Sequence, residues 1–272
     1  MTHQHSPVKR ITIAAERPEL EPFARQFCDA MLPDLAINTL PLEQFAALLH
    51  HEYNPEELFL VVLQADEQGH LENGSPFVQH LMTSQVPVMV LRQHEAQEFP
   101  QTSFNRIVVP LDGSSTAGQA VPVASRLAVI SKLPVKFVMV IDPSRVIPPA
   151  YTYDPEAWGV IEELRLTAHW ALGQAETLMK RDGVESSSDL LLGSINASLM
   201  ASIGEGDLVV MTTHGLDRHS LRYHDSVAMR VLCSIPQPIL IMQAQPQESV
   251  VVDGYQACGW AEPLAHDASR IA

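Results

Sequence analysis

The chain has 272 residues, 46% of them hydrophobic and 18% charged, with a formal net charge of −15 at pH 7. That length holds one large or two small domains, the charge disfavours nucleic acid or an anionic membrane as the main partner, and no uninterrupted apolar run is long enough to span a bilayer. Cys28, Cys233 and Cys258 are scattered without C-x-x-C spacing and the start carries no signal-like segment, so the expectation is a cytoplasmic protein with reduced thiols, no disulfide framework and no zinc site.

Taken in order, residues 1–7 are a polar start and residues 10–15 (RITIAA) predict a short buried strand. Residues 18–32 predict an amphipathic helix, with Phe23, Phe27 and Met31 at four-residue steps. A weaker strand is expected at 35–40 and a helix at 42–51, ended by Asn54-Pro55. Residues 58–63 (LFLVVL) are apolar on both faces, as in a central parallel strand. A polar loop at 67–75, a helix at 76–84 and a strand at 86–91 follow, and 94–103 reads as a polar linker.

Then the pattern restarts. Residues 105–112 (NRIVVPLD) align with 9–16 (KRITIAAE), and Gly113-Ser114-Ser115 supplies a turn and N-cap for a helix at 116–131. A strand at 134–142, a proline-rich loop at 143–155, a long helix at 156–181, a strand at 188–192 and a helix at 197–203 come next. Ser186, Ser187 and Ser188 read as turn residues. Residues 208–213 are an apolar, β-branched strand, followed by His214-Gly215, a polar loop, a helix opening at Asp225-Ser226-Val227 and a last strand at 238–242. Segments 57–93 and 207–243 share one length and one order of elements, so the chain reads as two copies of a unit. The expected division is a shortened first domain at 8–93, a linker at 94–103, a second domain at 104–244 and a tail at 245–272. Alternating strands and helices predict an α/β fold of two doubly wound parallel-sheet domains in tandem, with ligands beyond the carboxyl ends of the strands.

One stretch points to a ligand. Strand, Gly-containing turn, loop and helix start leave backbone N–H groups unpaired in one crevice, where a phosphate can accept from them. Thr212-Thr213-His214-Gly215, nine further residues, Asp225-Ser226 and Pro238-Ile239-Leu240-Ile241 resemble the end of the universal stress protein domain, which runs strand, G-x-x-G, nine residues, G-S/T, helix and a P-V-L-V-V-like strand. Thr212 and Asp225 stand where that pattern has glycine. A side chain at 212 narrows the phosphate path, and a carboxylate at 225 faces ligand oxygens, so the crevice reads as degenerate.

The resemblance implies an adenine nucleotide α-hydrolase-like fold, pairing through last strands, and an adenine nucleotide such as ATP in the second copy, without a metal. By the same resemblance, Asp112 in P-L-D-G-S contacts adenine or ribose, Pro110 and Leu111 line the base pocket, and Val140 offers backbone groups to adenine. Thr212, His214, Gly215, Arg218, Ser226 and Val227 fall on the phosphate side. Structural alternatives stand beside these: Asp112 as a helix-preceding residue that caps a turn, Ser226 as a helix cap, Val140 as a core valine, Gly215 as a plain turn. Arg218 and Arg222 can pair with phosphates or with Asp225. The first copy carries Glu16 at the Asp position and Ala65-Asp66-Glu67 in place of the turn, and reads as a scaffold whose final strand is available to the second copy. His50, His51 and His169 read as isolated surface residues.

No G-x-S-x-G, H-E-x-x-H or Walker loop is present. The expected role is therefore a stress-response binding or regulatory protein without turnover, with the two copies pairing internally or the chain forming a further homodimer. A slow ATP hydrolase, a protein-interaction module without nucleotide and a transporter-associated regulatory subunit are the alternatives.

Overall fold

The computed structural model describes residues 8–32, 35–50, 54, 56–68, 70–71, 76–93, 104–151, 153–213 and 227–244. The first half runs β1 (Arg10–Ala15), α1 (Glu21–Met31), β2 (Ala36–Thr39), α2 (Leu42–Leu48), β3 (Glu57–Gln64), α3 (Pro76–Met82) and β4 (Val88–Gln93). The second half runs β5 (Arg106–Leu111), α4 (Ser115–Gly118), α5 (Ala120–Ser131), β6 (Val135–Ile141), α6 (Pro143–Val146), α7 (Pro155–Arg181), β7 (Ser186–Leu192), α8 (Ile195–Ser202), β8 (Asp207–Thr213), α9 (Val227–Ser234) and β9 (Ile239–Gln243).

The strands form one nine-stranded sheet in the order β2-β1-β3-β4-β9-β8-β5-β6-β7. Every neighbouring pair is parallel except β4 and β9, which meet antiparallel with Val88 opposite Ile241 and Val90 opposite Ile239. Each half is thus a doubly wound parallel unit, and the two join through their final strands. Among the described residues the first half has no counterpart of β7 or of the long α7.

A recurring ion pair marks the repeat. Arg10 sits opposite Glu57 in the β1–β3 register and bonds it at 3.1 Å. Arg106 sits opposite Asp207 in the β5–β8 register and grips both carboxylate oxygens at 2.9 Å. These four residues occupy equivalent positions in the aligned copies.

Strand alternation sends side chains to two apolar layers. In β8, Leu208 and Val210 face the layer of α1, α5 and α7 with Phe27, Ile107 and Phe137, while Val209 and Met211 face the layer of α2, α3, α8 and α9 with Phe45, Leu81 and Leu232. Burying each such side chain contributes about 1.5–3 kcal/mol. Cys28 and Cys233 are free and buried in these layers. Burial, reinforced by Asp29, pushes the Cys28 thiol up to about 12, so it stays protonated at neutral pH.

The halves also cap each other's closing helices. Arg92 of β4, only 4% exposed, donates to the carbonyls of Leu232, in the last turn of α9, and of Gln237 at 2.6 Å. The Leu71 N–H donates to the Cys233 carbonyl at 3.2 Å. In return, the Thr213 hydroxyl of β8 donates to the Met82 carbonyl at the end of α3 at 2.7 Å. Helix ends leave such carbonyls without intrahelical partners, and here the opposite half supplies them.

Four sequence expectations are corrected. Ser186, Ser187 and Ser188 are not turn residues: they pair with Val135, Lys136 and Phe137 in β7, an edge strand whose half-exposed faces accommodate hydroxyl side chains. The helix expected at 116–131 breaks at Gln119, where a short α4 hands over to α5. The loop expected at 143–155 contains α6 and the 3-10 turn Pro149–Tyr151, each opening on a proline, whose missing N–H costs nothing in a first turn. His50 is not isolated, because its Nε2 lies 3.4 Å from Nδ1 of His80. The linker expected at 94–103 and the tail beyond 244 lie outside the described residues, as does His51.

Candidate functional site

The sheet is paired differently at the strand tips of its two halves. In the first half, β1 and β3 stay zipped to Ala15 opposite Val62, and the Glu16 N–H extends the ladder to the Val62 carbonyl at 2.9 Å. In the second half the β5–β8 ladder stops at Val108 opposite Val209, although β8 continues to Thr213. Pro110 accounts for part of this, since it has no N–H to donate. A split therefore opens between the tips of β5 and β8. It lies where the chain order reverses, with β6 on one side of β5 and β8 on the other, and such a switch point is where ligands enter this kind of sheet.

Asp112 stands at the tip of β5. Its Oδ1 accepts from the Ser114 N–H at 2.9 Å and the Ser114 hydroxyl at 2.6 Å, and Ser114 Oγ accepts from the Ala117 N–H at 3.1 Å to cap α4. Gly113, at φ +82°, takes the left-handed conformation this turn requires. Asp112 thus caps the turn that precedes the helix through Oδ1, while Ser114 is the N-cap of α4 itself. Asp112 is exposed, and Oδ2 has no hydrogen-bond partner among the described residues.

Val140 lies in β6, one residue past the last β5–β6 pair, Leu111 opposite Met139, so at this level β6 is paired with β7 alone. Val140 and Val227, the first residue of α9, are half-buried against the same apolar layer as α8 and α9. Pro110 shares that face by strand alternation, being two residues from Val108. Leu111 is buried on the opposite face, toward α5 and α7. Thr212 also points to that face and donates its hydroxyl to the Thr116 carbonyl at 2.8 Å, tying the tip of β8 to α4. The structure brings Pro110, Val140 and Val227 to one wall, Leu111 and Thr212 to the other, and Asp112 to the tip between them. His214, Gly215, Arg218 and Ser226 lie outside the described residues, together with His219, Arg222, His224 and Asp225.

The corresponding groups of the first half are exposed and engaged by backbone N–H groups of their own half. Glu16 Oε2 accepts from the Gln64 N–H at 2.7 Å, and Asp66 Oδ1 accepts from the N–H groups of Gln68 and His70 at 2.9 and 2.7 Å. Asp142 escaped the sequence reading. At the tip of β6 it repeats the device of Asp112, accepting from the Ser144 hydroxyl at 2.6 Å and the Ser144 N–H at 3.1 Å. The Ser144 hydroxyl, then the backbone N–H groups of Ser144 and Ile195 with Arg145 nearby, hold its carboxyl below the usual range. The signal was legible as a second D-x-S directly after a strand. Among the described residues no three His, Cys, Asp or Glu side chains gather as a metal site. A shallow apolar groove between Leu58, Val123, Leu127 and Leu240 contains none of the predicted site residues.

Residues 103–243 match the family model described as the Universal stress protein family. No curated protein matches the chain. Among solved structures, a universal stress protein from Archaeoglobus fulgidus DSM 4304 is 15% identical, with a TM-score of 0.52, over 83% of this chain and 77% of its own. A protein of the universal stress protein family from Burkholderia pseudomallei is 28% identical, with a TM-score of 0.42, over 53% of this chain and 100% of its own. A universal stress protein from Archaeoglobus fulgidus in complex with dAMP is 19% identical, with a TM-score of 0.37, over 52% of this chain and 98% of its own.

Proposed function

Because the chain belongs to the universal stress protein family, we propose that its second half, residues 104–244, senses an adenine nucleotide such as ATP in the split between β5 and β8 and does so without turnover. The base lies against Pro110 and Val140, whose backbone is uncovered on the β5 side, and Asp112 Oδ2 accepts from a ribose hydroxyl. The phosphates extend toward Val227 at the start of α9, and Ser226, Gly215, His214 and Arg218, which lie outside the described residues, are the sequence candidates for holding them. Thr212 narrows this path and keeps affinity modest. The first half, residues 8–93, serves as a scaffold, and the whole acts as a cytoplasmic stress-response binding protein.

One observation carries this reading: the ladder between β5 and β8 ends at Val108 opposite Val209, whereas the equivalent ladder of the first half runs on to Ala15 opposite Val62. Among the described residues, it is in the second half that the ladder ends short of the strand tips. The test is calorimetry of the full chain with a nonhydrolysable ATP analogue, alongside phosphate release from ATP. One site per chain is expected, weakened about tenfold in Asp112→Ala through loss of a charge-assisted hydrogen bond, with no phosphate released. Absence of binding at millimolar analogue sinks the nucleotide reading and leaves an interaction module. Release abolished in Ser226→Ala replaces the sensor with a slow hydrolase.

A further inference from the structure

The outward face of α7 is where the molecule departs most from an ordinary surface. The helix has 27 residues, about 40 Å, against 7 residues, about 23 Å, for the β6 strand it packs on. Among the described side chains of its first 16 residues, only Ile161 and Ala168 are buried. Leu166 is 71% exposed, Trp170 51% and Trp158 40%. These three fall at four-residue or eight-residue steps and so share one side of the helix. Two-fifths of Trp158 and half of Trp170 therefore face solvent, on the order of 100 Å² apiece. That is a patch of the kind that marks an interface.

We propose that this stripe is the contact between two copies of the chain, packed with their α7 helices antiparallel about Leu166 and Trp170. Charge favours a second copy over another partner. The N-terminal turns of α7 carry Glu156, Glu162 and Glu163, of which Glu162 also meets Arg165 at 3.4 Å, and its last turn carries Lys180 and Arg181, of which Arg181 also meets Asp182 at 3.3 Å. Antiparallel packing lays the acidic end of each helix on the basic end of the other and sets Leu166 against the partner's Trp170. A parallel arrangement sets like charges together. Between chains of net charge −15, local complementarity of this kind is what offsets the general repulsion. Gly159 and Gly173 leave open space where a Cβ would stand, so helix backbones can approach closely there. The final strands, β4 and β9, are already spent on each other, and the outer edge strands are a four-residue β2 and a β7 whose Asp189 pairs with Lys136. Extending the sheet is therefore a poor route to a dimer.

The test is sedimentation equilibrium of the full chain. The wild type should run at the mass of two chains at about 0.1 mM, and the Leu166→Glu/Trp170→Glu double variant at the mass of one, with unchanged circular dichroism. A charge-swap pair keeps the question separate from folding. Glu156→Lys/Glu162→Lys/Glu163→Lys and Lys180→Glu/Arg181→Glu should each be monomeric, and an equimolar mixture should restore the two-chain mass. A wild-type monomer at 0.1 mM, a dimer that survives Leu166→Glu/Trp170→Glu, or a mixture that stays monomeric overturns the proposal.

Discussion

The guanidinium of Arg92, in the closing strand of the first half, donates to the carbonyl of Leu232, in the last turn of the second half's closing helix. The opposite end of that helix, α9, begins at Val227 beside the candidate crevice. The first half therefore holds one end of the element whose other end borders the ligand path. Burial pulls the Arg92 pKa down to about 10, still high enough for the side chain to be charged at neutral pH. Its charge is accommodated because two carbonyl dipoles face it.

Replacing Arg92 with leucine should cost about 3 kcal/mol, since the Leu232 and Gln237 carbonyls then lose their donors inside the protein. Arg92→Lys should recover part of that loss, because an ammonium reaches one carbonyl but not both. Urea unfolding midpoints at constant m-value read the difference. Equal stability of wild type and Arg92→Leu contradicts the assignment.

The repeated ion pair offers a matched comparison. Removing Arg106 leaves the carboxylate of Asp207, 2% exposed, with the Gly204 N–H as its one donor among the described residues, at a cost of about 3–5 kcal/mol. Removing Arg10, 52% exposed at its side chain, should cost under about 1 kcal/mol. Arg10→Leu and Arg106→Leu can be measured side by side by thermal unfolding. Similar losses from both would mean that burial does not set the difference.

Asp142 gives a pH dependence with a defined sign. Its folded pKa lies below the ordinary 3.8, so the unfolded chain takes up this proton first as the pH falls. Stability from this group is present above pH about 4 and disappears as the pH drops through the folded pKa. Ser144→Ala removes the largest cause of the shift. The carboxyl carbon of Asp142, followed by NMR between pH 2 and 6, should titrate closer to 3.8 in that variant, and an unmoved midpoint would show that Ser144 is not the cause.

How far the sequence carried the fold follows from which physical signals it contains. Residues 58–63 and 208–213 lie in strands because they are apolar on both faces, which fits burial between two helical layers. The equal length and order of 57–93 and 207–243 gave the repeat directly. Ser186, Ser187 and Ser188 were misread because an edge strand needs a hydrogen-bonding neighbour on one side only, which leaves little trace in local composition. The break at Gln119 did leave a signal: it falls between Gly118 and Pro122, and Pro122 has no N–H to offer the carbonyl four residues back. For the site, Asp112 and Val140 were placed at strand tips by their position after an apolar run, and they stand there. The split between β5 and β8 depends on register, a relation between residues about a hundred positions apart that no local pattern encodes. Arg92 and Thr213 were invisible for the same reason: each caps a helix belonging to the other copy.

The antiparallel pairing of β4 with β9 has a consequence for specificity among related chains. A half that finds its mate on the same polypeptide meets it at the high effective concentration that tethering confers, so separate subunits cannot displace it readily. Exchange of a half with a separate chain is thereby disfavoured, and the one-to-one match of the two unlike halves is set by the polypeptide itself.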